Sequence, residues 1–228
     1  MKLVTYRASV EAAARLGVLV DNLVVDVEAL ATAQGTTLPD TMLGLIDAGR
    51  GGLETLRDCL GRAAGRFPAG TATAVDNVRL LAPIPRPRKN IFGIGLNYVE
   101  HVAESAKSLD TSKDLPKQPV VFSKPPTTVI GPGDGIELDW EVELAVIIGT
   151  TARRVRKEDA LDHVFGYSVM IDVSARDNRR AGQWIFSKGQ DTYAPFGPCI
   201  VTADEIPDPQ VLDLSLTLNG VEKQRSNT

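Results

Sequence analysis

The stretch "DWEVELAVIIG", residues 139–149, is an apolar run that carries two carboxylates at its head. Its Val, Leu and Ile residues favour a β-strand. Because successive side chains of a strand point to opposite faces, Glu141 and Glu143 share one face with Ala145 and Ile147. The other face carries Trp140, Val142, Leu144 and Val146. The apolar character of both sets predicts a strand that is largely covered on both sides.

Two neighbouring carboxylates need an explanation in such a strand. A buried, unpaired carboxylate costs several kcal/mol, and two of them repel each other. A second apolar run, "GYSVMIDVSARD" (166–177), reaches Asp172 before it turns polar. Three carboxylates at adjacent strand ends would suit Mg²⁺, Mn²⁺ or Ca²⁺ and leave about three octahedral positions for water or substrate. The spacing therefore leaves two interpretations open: a metal site, or an exposed strand end with hydrated glutamates.

The residues around these two runs predict the class of the fold. Further strands are predicted in "IFGIG", "PVVFSK", "TTVIG", "YAPFGPCIV" and "LDLSLTL", and the last enters a hairpin at Asn219-Gly220. Helix-like segments are short, such as "VEHVAESAKSL" and "RKEDALDHV". Because few strand pairs have the spacing of a βαβ unit, we expect an α+β domain on a mixed sheet rather than a Rossmann fold.

Residues 1–80 are predicted to form a small N-terminal α+β domain. Strands are expected at 3–7 and within 15–27, with a turn at Asp21-Asn22, followed by helices at 40–49 and 52–66. The first helix has Asp40 or Thr41 as its N-cap and Gly49 as its stop. Residues 67–77 are interpreted as a loop. Residues 81–89, rich in proline and basic side chains, are predicted to be a linker to a second domain at 90–228.

Composition excludes several classes of protein. The chain has 228 residues, 43% of them hydrophobic and 24% charged, with a net charge of -4, which argues against a dedicated nucleic-acid binder. We expect no signal peptide and no membrane span, and thus a cytoplasmic location. Cys59 and Cys199 have no metal-type spacing, and a Cys/His zinc site is nearly excluded. "GIG" (93–95) is too short to predict dinucleotide binding.

Five motifs together resemble those of the fumarylacetoacetate hydrolase family. They are "GIGLNYVEHVAE", "FSKPPTTVIGPGD", "DWEVELAVIIG", "DVSARD" and "SKGQDTYAPFGP", in the order of that family, and the resemblance covers residues 84–228. It implies a mixed β-sheet roll or sandwich, and residues 1–80 resemble the small N-terminal domain of some members. It also implies a homodimer and a Mg²⁺ or Mn²⁺ ion, with Ca²⁺ as a substitute in crystals, on Glu141, Glu143 and Asp172.

Members of this family act on 2-oxo acids. The resemblance implies a hydrolase that cleaves a C–C bond in a small 2,4-dioxo acid, of the acylpyruvate or fumarylacetoacetate type, through an enolate that the metal stabilises. One alternative is an isomerase, tautomerase or decarboxylase of 2-oxo acids, of the hydroxymuconate or oxaloacetate type, on the same site. A second alternative is a non-catalytic relative.

The resemblance also assigns catalytic roles. His101 and Glu104 lie three residues apart, so on a helix they share a face, and they resemble the family's water-activating pair. Lys188 matches an active-site lysine that stabilises an oxyanion. Without the resemblance, the histidine would be interpreted as a surface or core residue and the lysine as a solvated one.

The remaining candidates concern the substrate pocket. Asn97, Tyr98, Arg176 and Arg179 are predicted to contact the substrate. Many members carry Gln at the position of Arg179, and this arginine would either add a positive contact for a second carboxylate or face solvent. Arg176 is also expected to form a structural pair with Asp177. Lys124, in "FSKPP", is interpreted as structural.

The chain departs from the family pattern at two further points. Gly189 stands where many members have Ser. The chain ends at "EKQRSNT", before the Thr-Gly-Thr-Pro loop of the family, so we expect the C-terminal part of the second domain to be missing.

Overall fold

The computed structural model describes residues 1–95, 117–136, 139–178 and 183–228. Three α-helices are present in this part of the chain: α1 (Val27–Ala33), α2 (Met42–Ala63) and α3 (Ile185–Lys188). The first seven strands are β1 (Lys2–Arg7), β2 (Arg15–Val20), β3 (Leu23–Asp26), β4 (Ala72–Ala74), β5 (Arg79–Leu81), β6 (Ile91–Gly95) and β7 (Val120–Lys124). The other six are β8 (Val129–Ile130), β9 (Val142–Ile148), β10 (Val164–Ile171), β11 (Ala194–Thr202), β12 (Asp213–Leu218) and β13 (Val221–Asn227).

One large sheet organises the described residues. Its main path runs β4-β3-β2-β1-β11-β10-β9, with β5 beside β1 and β8 beside β11. The β8–β11 pair is parallel, whereas the other pairs of this sheet are antiparallel, so the sheet is mixed. Two separate hairpins, β6–β7 and β12–β13, complete the strands. The predicted α+β class with a mixed sheet is confirmed.

The N-terminal elements follow the sequence signals in part: α1 was not predicted, and the two helices expected at 40–49 and 52–66 form the single kinked helix α2. Asp21, at the predicted turn between β2 and β3, has φ 51°. The hydroxyl of Thr41 accepts a hydrogen bond from the Gly44 amide and caps α2, while Gly49, with φ 58°, interrupts that helix. The predicted loop at 67–77 is wrong in part, because β4 forms there against β3. Strand β4 has only three residues, too few to show a period in the sequence.

A partly buried ion pair joins β2 and β3, and it also contacts β1 and the start of α1. The Asp26 carboxylate accepts hydrogen bonds from the Tyr6 hydroxyl (2.6 Å), from the Arg15 guanidinium and from the Ala29 amide at the N-terminus of the helix. Burial alone would raise the pKa of Asp26, but these hydrogen bonds outweigh it and lower the pKa. Asp26 therefore contributes to stability while it is ionised.

Strand pairing crosses the predicted domain boundary. Strand β1 pairs with β11, with Leu3 opposite Ile200, and β5 pairs with β1. A single hydrophobic cluster includes Leu3 and Leu45 from the first part of the chain and Ile147 and Phe165 from the second. The division into 1–80, 81–89 and 90–228 stays a prediction, but residues from both sides of it share a sheet and a core.

Strand β9 keeps the predicted alternation, but one of its faces becomes exposed towards the end of the strand. Ile147 is buried, and Ala145 packs against the main cluster on the face of the two glutamates. On the other face, Val146 and Ile148 are 50% and 55% exposed. The expectation that both faces are covered is therefore wrong towards the end of the strand. Among the described residues β9 is the last strand of the sheet, so fewer elements can cover it.

The β12–β13 hairpin docks on the start of β9. Asn219 and Gly220, with φ 51° and 78°, form the predicted turn. The side-chain amide of Gln224 accepts a hydrogen bond from the Val142 N–H (2.8 Å) and donates one to the Val142 carbonyl (3.3 Å). One side chain thus makes the two backbone hydrogen bonds to Val142 that a neighbouring strand would otherwise make.

No helix in the described ranges is long and apolar enough to cross a bilayer.

Candidate active site

The ends of β9 and β10 place Glu141 and Asp172 side by side. The Asp172 amide donates a hydrogen bond to the Glu141 carbonyl (2.8 Å), next to the Val142–Ile171 pair of the ladder. Residues directly opposite each other in an antiparallel pair lie on the same face. The two carboxylates therefore share a face, and alternation along β9 puts Glu143 on it as well, opposite Met170.

The ammonium of Lys188 lies between these two carboxylates. It donates hydrogen bonds to Glu141 Oε2 (2.9 Å), to Asp172 Oδ2 and to the hydroxyl of Ser174 (2.9 Å). The side chains of Lys188, Glu141 and Asp172 are 7%, 15% and 9% exposed. Interactions between charges in so dry a site are far less screened than on the surface. Lys188 thus neutralises part of the repulsion between the carboxylates.

Arg176 neutralises the outer side of the carboxylate cluster, which consists of Asp139, Glu141 and Asp172. Its guanidinium donates to Asp139 Oδ2 (2.5 Å) and to Glu141 Oε1 (2.5 Å). The expected Arg176–Asp177 pair is wrong: the described partners of Arg176 are carboxylates of the β9 segment. The physical reason is the turn of 3₁₀-helix at Arg176–Asn178, which returns the arginine towards the start of β9.

Lys124 lies beneath the cluster and is almost completely buried. Its ammonium donates to the carbonyls of Val173 (3.1 Å), Lys188 (2.6 Å) and Tyr193 (2.9 Å). It also forms an ion pair with Asp172 Oδ1 at 2.7 Å. Three carbonyl oxygens and one carboxylate oxygen therefore surround the ammonium.

The charges of the cluster act on Glu141 most clearly. Burial alone would raise the pKa of its carboxyl, but the Lys188 ammonium and the Arg176 guanidinium outweigh burial and lower the pKa to about 2. Burial lowers the pKa of Lys124, and the charge of Asp172 opposes that effect. Glu141 is therefore an anion at neutral pH.

Two aromatic side chains, Phe122 and Trp184, pack together next to Lys188 and form a wall of the candidate site. The rings of Phe122 and Trp184 have centroids 5.5 Å apart, and the Lys188 ammonium is 5.0 Å from the Phe122 centroid. A Cβ atom on Gly93 would lie 2.2 Å from the Phe122 ring, and one on Gly95 would lie 3.0 Å from the Trp184 ring. The two glycines of "GIG" therefore make room for aromatic rings. Sequence reasoning missed this wall, although the Gly-X-Gly spacing was its signal.

The oxygen donors of the cluster fit a hard divalent cation in their chemistry. Glu141 and Asp172 are adjacent, and Glu143 shares their face. In the described parts of the chain no three Asp, Glu, His or Cys side chains converge as a metal-ligand set. Glu141 and Asp172 converge instead on the Lys188 ammonium. The assignment of Glu141, Glu143 and Asp172 as ligands stays a prediction.

Five other predicted site residues lie outside the described ranges. They are Asn97, Tyr98, His101, Glu104 and Arg179. Their roles in substrate binding and water activation stay predictions.

A cavity of about 640 Å³ opens between β12 and the segment before β9. Its walls are mostly apolar: Ile136, Asp139, Trp140, Ile171, Leu216, Thr217 and Leu218. Asp139, a partner of Arg176, lies in its wall, and Ile171 directly precedes Asp172, so the cavity borders the carboxylate cluster.

Comparisons with known proteins agree with the motifs. Residues 90–228 match the model of the fumarylacetoacetate (FAA) hydrolase C-terminal family. A mitochondrial oxaloacetate tautomerase of Xenopus laevis is 35% identical over 100% of this chain and 70% of its own length. The chain spans 50% to 71% of the length of the curated relatives that it matches.

Two solved structures show the same fold. A maleylpyruvate hydrolase from Sphingobium sp. SYK-6, in complex with manganese(II) and pyruvate, has a TM-score of 0.73 and 32% identity, covering 100% of this chain and 76% of its own. A 5-carboxymethyl-2-hydroxymuconate delta-isomerase from Mycobacterium smegmatis has a TM-score of 0.68 and 29% identity, with the same coverage. The relatives are thus enzymes of several reaction classes, and the chain belongs to the fumarylacetoacetate hydrolase family.

Proposed function

We propose that the chain is a divalent-metal-dependent enzyme that hydrolyses a C–C bond in a small 2,4-dioxo acid, of the acylpyruvate or fumarylacetoacetate type. One observation carries the proposal: two carboxylates at adjacent strand ends, Asp172 buried and Glu141 largely so, share a buried ammonium, with a guanidinium beside them. Such a charged cluster is costly to bury, and clusters of this kind are typical of functional sites.

The carboxylates are the groups that would hold the metal. Glu141, Glu143 and Asp172 are the proposed ligands, and Arg176 holds the Glu141 carboxylate from its outer side. A bound Mg²⁺ or Mn²⁺ would supply Lewis acidity towards the carboxylate and 2-oxo oxygens of the substrate.

Lys188 is the cation best suited to stabilise negative charge on the substrate. All three N–H groups of Lys124 bind backbone carbonyls, whereas Lys188 spends one of its bonds on the neutral hydroxyl of Ser174. Replacing that hydroxyl with a substrate oxyanion would cost little and would gain a charge-assisted hydrogen bond.

The proposed hydrolysis consumes one water molecule. His101, supported by Glu104, takes a proton from water, and the resulting hydroxide adds to the distal carbonyl. The bond between that carbon and the neighbouring CH₂ breaks, and its electrons remain on the CH₂ carbon as an enolate. His101 returns its proton to that carbon, which gives a 2-oxo acid, and the distal fragment leaves as a carboxylic acid.

A second candidate reaction is the tautomerisation of a 2-oxo acid such as oxaloacetate. The oxaloacetate tautomerases from Xenopus laevis and Bos taurus align with the whole of this chain. This reaction forms the same type of enolate but needs no attacking water, so it depends on Lys188 and the carboxylates without the water-activating pair. Isomerisation or decarboxylation would use the same groups.

Product analysis separates these reactions. The protein is incubated with Mg²⁺ or Mn²⁺ and, in separate reactions, an acylpyruvate, oxaloacetate or a hydroxymuconate-type diacid, and the products are followed by NMR. Pyruvate plus a carboxylic acid supports hydrolysis, whereas faster keto–enol interconversion without cleavage supports the tautomerase. His101→Ala is expected to abolish hydrolysis and to leave Mn²⁺ affinity unchanged.

A binding measurement tests the non-catalytic alternative. Oxalate resembles the enolate of a 2-oxo acid, so an active site should bind it together with the metal. We expect oxalate with Mg²⁺ to raise the melting temperature more than Mg²⁺ alone. No turnover of any of the three acids, together with no oxalate-dependent shift, would favour a relative without activity.

The assembly state is proposed as well. We expect a homodimer, and light scattering coupled to size-exclusion chromatography measures it directly.

A further inference from the structure

The buried ammonium of Lys124 has no part in the proposed reaction, yet it joins several segments of the site. The lysine extends from β7, which belongs to a hairpin outside the main sheet. Its partners lie just after β10, at the end of α3 and just before β11. One side chain therefore connects the segment that carries Asp172 with the helix that carries Lys188.

Four oxygen atoms surround the Lys124 ammonium within 3.1 Å. They are the carbonyl oxygens of Val173, Lys188 and Tyr193 and the Oδ1 atom of Asp172. Without a cation between them, these four partly or fully negative oxygen atoms would repel one another in the protein interior. The lysine acts as a built-in cation that keeps them together.

Each oxygen of the Asp172 carboxylate contacts a different lysine. Oδ1 lies against Lys124, and Oδ2 accepts the hydrogen bond of Lys188. With one oxygen held from below, the carboxylate has a fixed rotation about its Cβ–Cγ bond. Its other oxygen is then presented to the face that carries Glu141.

We propose that Lys124 is a positioning residue that orients Asp172 and Lys188 for metal binding and catalysis, an inference that rests on the proposed function of the site. Residues that orient metal ligands typically change metal affinity or activity 10–100-fold when they are replaced. A purely structural lysine would change stability alone.

The test compares two Lys124 variants with a matched control. Lys124→Met removes the charge and all three donors, and Lys124→Gln keeps two donors without the charge, so it is the milder change. Thr128→Val is the control, because Thr128 is fully buried and bonds the Pro125 carbonyl, without contact to the carboxylate cluster. Mn²⁺ affinity by electron paramagnetic resonance, melting temperature, kcat and KM are measured for each protein.

We expect the Mn²⁺ dissociation constant of Lys124→Met to rise about 10–100-fold and kcat to fall by a similar factor, with KM changed less. Lys124→Gln should show a smaller change in the same direction. Thr128→Val should lower the melting temperature but leave Mn²⁺ affinity and kcat unchanged. Unaltered or tighter Mn²⁺ binding in both Lys124 variants would overturn the proposal.

Crystal structures of the variants keep this test separate from the test of function. The proposal predicts a rotated Asp172 carboxylate and a longer Lys188–Asp172 distance, whether or not a substrate has been found. If both groups stay in place, the positioning role is wrong. If they move but no oxo acid is turned over by the unmodified protein, the proposed reaction fails and the positioning role stands.

Discussion

Replacing Lys188 with methionine tests the central feature of the site, which is one buried ammonium shared by two carboxylates. The substitution keeps a side chain of similar length but removes the charge and three hydrogen bonds, to Glu141, Asp172 and Ser174. Two carboxylates that are 15% and 9% exposed would then face each other across the strand pair.

The expected loss of stability can be estimated from these contacts. Removing one partner of a buried ion pair typically costs about 3–5 kcal/mol. Arg176 still contacts Glu141 and Lys124 still contacts Asp172, so the lower end of the range applies. For a chain of 228 residues, a loss of about 3 kcal/mol corresponds to a fall in melting temperature of roughly 6–12 °C.

The measurement is thermal and chemical unfolding at pH 7 without divalent ions, with Lys223→Met as control. Lys223 is exposed on β13, so its replacement should change the free energy of unfolding by less than about 0.5 kcal/mol. In a second arm, Mn²⁺ is added. It should raise the melting temperature of Lys188→Met more than that of the unmodified protein, because a divalent ion replaces the missing charge.

Equal stability of Lys188→Met and Lys223→Met would refute the reasoning, since the carboxylates would then not depend on the ammonium. If Lys188→Met is destabilised but Mn²⁺ does not restore its stability, the role of the ion pair in stability stands. The support for a metal at this position is then lost.

Three further predictions concern the scaffold. Gly93→Ala should lower the free energy of unfolding by about 1–3 kcal/mol in denaturant, because the new Cβ meets the Phe122 ring at 2.2 Å, and adding Phe122→Leu should recover part of the loss. The folded-state pKa of Asp26 lies below its ordinary value, so its contribution is present above about pH 4 and is lost as the pH falls; Asp26→Asn should flatten the dependence of stability on pH in acid. Gln224→Ala should speed hydrogen exchange of the Val142 amide and cost about 1–2 kcal/mol, because it removes both bonds to that residue.

Each of these has a clear contrary result. Full stability of Gly93→Ala would mean that Phe122 does not cover the glycine. If the stability of Asp26→Asn falls in acid as steeply as that of the unmodified protein, the Asp26 ion pair is not the cause of that fall. Unaltered exchange at Val142 would show that the hairpin does not protect the edge of β9.

Much of the fold was predictable, because strands and turns leave local signals. The alternation in 139–149 predicted β9 and the shared face of Glu141 and Glu143, and Asn219-Gly220 predicted the last hairpin. Gly49, predicted as the end of a first helix, is the position at which α2 kinks. The resemblance to the fumarylacetoacetate hydrolase family is confirmed, because it depended on several motifs in order.

The contacts within the site were less predictable. The sequence paired Arg176 with its neighbour Asp177, whereas the structure pairs it with Glu141, 35 residues earlier. It also did not predict the contact between Lys124 and Asp172, which lies 48 residues later in the chain. Proximity along the chain does not indicate which charges meet once two strands and a short helix have packed together.

The sequence by itself determined the strands, the alternation that puts Glu141 and Glu143 on one face, and the family, because these properties depend on residues that are close in the chain or on motifs in a fixed order. Only the tertiary structure decided that β1 pairs with β11, that Lys188 lies between Glu141 and Asp172, and that Lys124 holds the other oxygen of that aspartate. The physical reason is that buried charges are stabilised by partners from distant segments, and packing of the sheet selects those partners.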